Sequence, residues 1–420
     1  MNRTLFRSLR SSVCFIALCA SVVPAMADTL NWNNLGTDFN DAGSWSNANP
    51  LGPDRVPNFN DIAAFNVLKL NDPVFSSVGT TTVAGIRFET LGTGYTITGV
   101  ENAFLGVGTS GINALNTTGT NSITVGLLLN FDQSITQAAG GTLNITGSIR
   151  FGNGDPTPTT ITIGSNTVAN GTINFSPSAA EISNTIQFVT HVNATLPTIV
   201  TETVGAGITK SGAATLTLNG NNSYNGATII NAGTLEASAT GGNKALGSTS
   251  GVTVNSGGTL LTTTANQFGP ATPLSLSGGT FNTNGTTQSL GALTLTSSST
   301  IDLASGATVL NFGDTSTRTA GTLTINDWSG SLSGGGTDQI IFANALDPTF
   351  LSNINFTGFS PGAVQLGDGE IVPVPEPATW VVGAMVLGLI GAGCKAGFAP
   401  RSSAATEAPR TAGVSRSGRG

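Results

Sequence analysis

The chain has 420 residues, of which 9% are charged and 56 are glycine, and its formal net charge is −7. An average soluble domain is about 25% charged, and so few Lys and Glu exclude a helical bundle or an α/β enzyme with amphipathic helices. Hydrophobic residues, 39% of the chain, alternate with polar ones, which excludes disorder, and glycine never settles into the three-residue period of collagen.

Residues 1–27 read as a signal peptide. Arg3, Arg7 and Arg10 form a basic flank, and Val13–Val23 is an apolar core too short to span a bilayer. Pro24 breaks that core. Ala25 and Ala27 supply the small residues a signal peptidase requires, so cleavage is predicted before Asp28. Signal peptidase and the Sec translocon are the implied partners. Between Asp28 and Pro377 there are 7 basic residues against 21 acidic ones and no basic run, which excludes sequence-independent nucleic-acid binding. Cys14, Cys19 and Cys394 lie in the two terminal apolar runs, so the interior holds neither a disulfide framework nor a thiolate metal site.

From Asp28 to about Ile371 the sequence alternates with period two and is broken by Gly and Asn. Gly251–Leu261 (GVTVNSGGTLL) and Gly291–Leu303 (GALTLTSSSTIDL) show the pattern of half-buried strands. A short phrase recurs at Gly140–Leu143, Ala232–Leu235, Gly257–Leu260, Gly278–Phe281 and Ala320–Leu323. The intervals from Leu235 to Leu260 and from Leu260 to Phe281 each match the length of one coil of a stacked solenoid. The expected fold is all-β, a right-handed parallel β-helix or β-solenoid over residues 28–371. The less regular N-terminal part leaves room for a β-sandwich or jelly-roll section.

Gly207–Ala237, GITKSGAATLTLNGNNSYNGATIINAGTLEA, resembles the autotransporter-associated β-strand repeat, over about one and a half rungs. In that pattern Leu216, Leu218, Ile229 and Leu235 fill the coil interior, Tyr224 closes a corner, and Asn219, Asn222 and Asn231 take turns. Residues 28–66, with Trp32, Trp45, Pro57, Asp61 and Phe65, resemble the opening segment of exported repeat proteins. Residues 321–371, with Trp328 and Asp338, resemble their closing segment. Both are read as caps whose rings plug the open ends of the stack.

Several short motifs carry no chemistry. Gly106–Gly111 fits G-x-G-x-x-G, but INALNTTGTN follows it where a dinucleotide site needs a helix. Gly358–Gly362 fits G-x-S-x-G, but His191, the single histidine, lies upstream, and Pro361 after Ser360 has no N–H for an oxyanion hole. Asp38–Gly43 begins like a calcium loop but has Ala42 at its fifth position, leaving at most an occasional loop calcium. Glu181, Glu202, Glu236, Asp302 and Asp314 are scattered. No catalytic, cofactor-binding or metal-ligating set is predicted, and the chain is read as non-enzymatic.

At the C-terminus, Pro375, Glu376 and Pro377 precede an uncharged span, 378–394, from Ala378 to Cys394, with Trp380 at its outer edge. Its length is at the lower limit for a membrane helix. Lys395, Arg401 and further Arg residues follow in a basic tail, 395–420. Over roughly Pro373–Arg401 this sequence resembles the PEP-CTERM sorting signal, and residues 372–420 are assigned to it. The resemblance implies an exosortase-type processing enzyme as partner. It also implies an inner-membrane-anchored precursor that reaches the cell surface, outer envelope or extracellular matrix, and exopolysaccharide as an associate. The expected function is that of an exported surface or matrix structural protein. The alternatives are a glycan-binding adhesin, requiring exposed Trp or Tyr pairs on one flat face, and a β-helix polysaccharide lyase or glycosidase, requiring two acids about 5–9 Å apart in a groove.

Overall fold

A strand with apolar residues at alternate positions must cover one face, and consecutive strands here do so by winding into a coil. The computed structural model describes residues 28–375, apart from Leu51, residues 153–156 and Glu202. The predicted signal and anchor positions Ala25, Ala27, Glu376, Pro377, Trp380, Cys394, Lys395 and Arg401 lie outside the described residues. The fold is an all-β parallel solenoid of about 11 turns.

Each turn has three sides. On the first, parallel strands run from Thr29–Trp32 through Ile208–Ser211, Thr228–Ile230 and Val252–Asn255 to Thr317–Arg318. The second is a sheet of 13 strands from Val74–Phe75 to Ile354–Phe356. The third begins with the starts of Gly79–Phe88 and Ala103–Ala114 and runs on through the ladder Gly126–Leu129, Ile149–Phe151, Ala180–Ile182 and Ile199–Thr201. It continues through irregular chain at Ser223, Leu246 and Phe268, and it resumes at Gln288–Leu290. Ile208 lies beside Thr228, Thr228 beside Val252 and Val252 beside Leu274, so each of these intervals is one full turn of the coil.

The recurring phrase locates the register of the second side. Leu235 is the partner of Leu260, and Leu260 of Phe281, as the spacing predicts. They belong to an apolar column that runs from Ile145 to Phe356 and is no more than 3% exposed anywhere. Two copies of the phrase sit two residues out of this column. Leu323 lies opposite Ser299 and Leu143 opposite Ile173, while Ile325 and Ile145 continue the column. A two-residue slip keeps every side chain on its face, so the hydrophobic pattern permits it.

One expectation is corrected, and one open alternative is closed among the described residues. Ile229 does not fill the interior: it is half-exposed, and Thr228 and Ile230 point inward beside Val252 and Val254. The buried Thr228 hydroxyl is satisfied by Tyr224 Oη at 2.8 Å and Thr249 Oγ1 at 3.0 Å, which lets a polar residue occupy the core. No sandwich forms near the N-terminus. The strands Gly79–Phe88 and Ala103–Ala114 instead cross a corner of the coil, pairing on the third side at their starts and on the first side at their ends.

Both ends are covered. Trp45–Asn47 pairs antiparallel with Thr29–Trp32, and Phe39 N–H and Val74 N–H donate hydrogen bonds to Val74 O and Thr37 O at 2.9 and 2.7 Å. At the far end a short helix, Pro348–Leu351, and an antiparallel hairpin of Ser360–Gln365 and Ile371–Val374 lie over the last rungs. Among the described residues no helix is long and apolar enough to cross a membrane.

Candidate functional site

The chain enters its fold at the predicted cleavage point. Asp28 O accepts the Ile62 amide at 2.8 Å, and Asp28 Oδ2 pairs with Arg55 Nη2 at 3.1 Å. Arg55 also forks onto Asp61, a residue 1% exposed that accepts the Asn58 amide at 2.8 Å. The two carboxylates hold the Arg55 guanidinium above its usual range. Behind them Trp45 packs edge-on against Trp32 at 5.1 Å and Phe39 at 4.8 Å, and Phe39 stacks on Phe75 at 4.4 Å. Trp45 Nε1 donates to Phe39 O at 2.8 Å. Of the expected landmarks, Trp32, Trp45, Asp61 and Phe65 are all brought into this end.

Lys210 is the residue whose role the sequence did not disclose. It lies between Phe188 and Ile230 in the inward column of the first side and is fully buried. Its ammonium donates to the carbonyls of Ser211, Gly212 and Ala232 at 2.8, 2.8 and 3.0 Å, tying one rung to the next. Burial lowers its pKa from 10.5 to about 8. Asn222, expected in a turn, does similar work: it is buried, accepts from Ile199 N–H at 2.7 Å and donates to Ala245 O at 2.8 Å. Asn231 and Asn255 instead form an exposed ladder, joined at 2.8 Å.

The short motifs noted in the sequence have definite places in the coil. Gly106–Gly111 lies within the strand Ala103–Ala114, where it crosses the corner. A Cβ on Gly108 would stand 3.0 Å from Ala84 O, and one on Gly111 2.1 Å from Ser134 O, so the glycines let adjacent rungs close up. Ser360 opens a hairpin strand, and Phe359 beside it packs on Trp328 at 5.5 Å. Asp38 and Asp41 spend carboxylate oxygens on the amides of Asn40 and Gly43. Among the described residues no group of three or more His, Cys, Asp or Glu is placed to hold a metal. His191 follows the strand Ile186–Thr190, and its N–H donates to Ile163 O at 2.8 Å.

Asp302 and Asp327 form a carboxylate pair. Asp302 accepts from Asn282 Nδ2 at 2.8 Å, and its carboxyl is raised above 3.8 by burial and then by Asp327. Neither residue lines the clefts beside Arg87, Arg150, Arg318 or Gln365. A raised carboxyl contributes stability below its ordinary pKa and loses it as pH rises through the folded value. Asp302→Asn is therefore expected to raise the melting temperature at pH 7, with the gain vanishing near pH 3.5. An equal or lower melting temperature at pH 7 would remove the account in which burial, and after it the neighbouring Asp327, disfavours the ionised carboxyl.

At the far end Asp338, fully buried, accepts the amides of Thr308 and Ser329 at 2.9 and 2.8 Å, and Trp328 packs on Phe356 at 5.3 Å. Burial raises the Glu370 carboxyl, which accepts the Gly335 amide at 2.7 Å. The strand Ile371–Val374 then ends, and Pro375 follows directly.

The fold therefore defines a capped parallel β-solenoid. A family model, the passenger-associated-transport-repeat, matches residues 208–237, the stretch that carries Lys210, Asn222 and Tyr224. A repeat of autotransporter passenger regions carried on a β-solenoid fits an exported surface protein. No curated protein and no solved structure matches the chain.

Proposed function

We propose that this chain is an exported, non-enzymatic structural protein of the cell surface or extracellular matrix. Its precursor is held in the inner membrane by residues 378–394, after a signal peptidase has removed residues 1–27. An exosortase-type enzyme processes it at the motif Pro375–Pro377, and the released coil associates with exopolysaccharide. The coil winds in the right-handed sense that parallel crossovers take in about 98% of cases.

The observation that supports this reading is the junction at Val374. The last strand is paired within the hairpin, and the motif begins at the next residue, Pro375. Among the described residues, every rung and both covered ends lie before the motif, so cutting there leaves that coil whole. The test is intact-mass analysis of the protein from cell-surface and membrane fractions of its host. The expected mass runs from Asp28 to near Pro377; a surface species that retains the span from Trp380 to Cys394 would replace processing by plain anchoring.

The adhesin alternative required exposed Trp or Tyr pairs. Trp32, Trp45, Tyr95 and Tyr224 are each no more than 1% exposed. Trp328 is packed edge-on against Phe356 and Phe359. Among the described residues, then, Trp and Tyr rings offer no paired stacking platform.

A further inference from the structure

We infer that the outer surface of the third side, in the N-terminal half of the coil, carries a binding groove for a neutral oligosaccharide. This inference deepens the reading of a matrix-associated protein by placing its glycan contact. At the centre is Arg150, whose guanidinium lies over the Phe104 ring at 4.6 Å and whose Nε meets Glu181 Oε2 at 2.9 Å. Held by a ring on its face and a carboxylate on its edge, the side chain is still 52% exposed. A surface arginine fixed in this way has lost most of its rotamer freedom before any ligand arrives, which lowers the cost of binding.

The floor beneath it is built for the purpose. A Cβ on Gly126 would stand 2.7 Å from Phe104 Cδ1 and Cε1, so glycine there lets the ring lie flat on the sheet. Beside the guanidinium is a cleft of about 270 Å³, lined by Leu128, Asn130, Arg150, Phe151, Glu181 and Ser183. Phe131 follows Asn130, and its ring meets Phe59 at 5.5 Å; Phe59 is 49% exposed. The corner that presents Phe131 is fixed: Gln133 donates to Val107 O at 3.1 Å and Asp132 accepts the Thr160 amide at 2.7 Å.

The paired rings of exposed Phe59 and half-buried Phe131 match the apolar C–H face of a pyranose, and a planar guanidinium beside a carboxylate matches adjacent hydroxyls as donor and acceptor. The ion pair is internally neutral, and the region from Asp28 to Pro377 carries three acidic residues for each basic one. Both features favour a neutral glycan over a polyuronate.

The test is isothermal titration calorimetry of the full chain, extracted in a detergent without sugar groups. The probes are neutral gluco- and galacto-hexaoses of α and β linkage, with hexagalacturonate as the charged comparison. A neutral hexaose is expected to bind, and Phe131→Ala and Arg150→Lys are each expected to weaken it by about tenfold with the melting temperature unchanged. Glu181→Gln, which keeps the shape, provides a second reading of the polar contact and is also expected to weaken binding. Asn282→Ala, on the second side, is expected to leave binding intact. Binding of hexagalacturonate alone, of no neutral hexaose, or equal loss in Asn282→Ala overturns the groove. None of these results bears on surface display, which the intact mass decides.

Discussion

Trp45→Ala is expected to destabilise the N-terminal end by about 3–5 kcal/mol, the range for removing a large buried ring. The side chain takes with it the edge-on packing against Trp32, Phe39 and Phe65, and the hydrogen bond to Phe39 O. The carbonyl left behind is buried without its donor, which adds to the cost. The consequence extends beyond stability, because Trp45 begins the strand Trp45–Asn47, which covers the edge of Thr29–Trp32. An uncovered edge offers its N–H and C=O groups to other chains. Thermal melting followed by sedimentation is therefore expected to show a lower transition and self-association. A monomer that melts like the parent would mean that this ring cluster does not seal the coil.

Lys210→Met is expected to destabilise the coil by roughly 2–4 kcal/mol at pH 7. Methionine fills similar space but leaves the carbonyls of Ser211, Gly212 and Ala232 without the donor that joins them. The pH dependence gives the signature. The folded lysine releases its proton near pH 8 and the unfolded one near 10.5, so between those values the unfolded chain binds more protons and stability rises with pH. The parent should therefore gain up to about 1.4 kcal/mol per pH unit over that window relative to the variant. Burial also raises Tyr95 and Tyr224, which destabilises both proteins above about pH 10 and cancels in the comparison. Denaturant unfolding of the pair at pH 7, 8, 9 and 10 reads the effect. A constant difference across that series would show that Lys210 does not titrate within it.

Much of the coil is legible in the chain because its interior repeats. Alternation gives the inward face, and the phrase ending at Leu235, Leu260 and Phe281 gives the register on the second side. The third side is less legible where the chain at Ser223, Leu246 and Phe268 forms no regular strand and is held by single backbone bonds between turns. Ile229 misleads because it stands beside Ile230, and the choice between them rests on hydroxyl bonds from Thr228 to Tyr224 and Thr249, residues up to 21 positions away. Lys210 misleads for the opposite reason: a charge suggests the surface, and the three carbonyls that receive it become neighbours only when the next turn is laid down. The groove at Arg150 is invisible in sequence because Phe104, Gly126, Arg150 and Glu181 come from four successive rungs.

The parallel stacking also makes reach a countable property. Neighbouring strands stand about 4.8 Å apart, so about 11 turns give a rod roughly 50 Å long. Each added turn, of the kind that carries the chain from Ile208 to Thr228, lengthens that rod by one strand spacing and leaves its two ends unaltered. A lineage could therefore adjust how far one covered end of the coil stands from the other simply by duplicating or losing whole rungs.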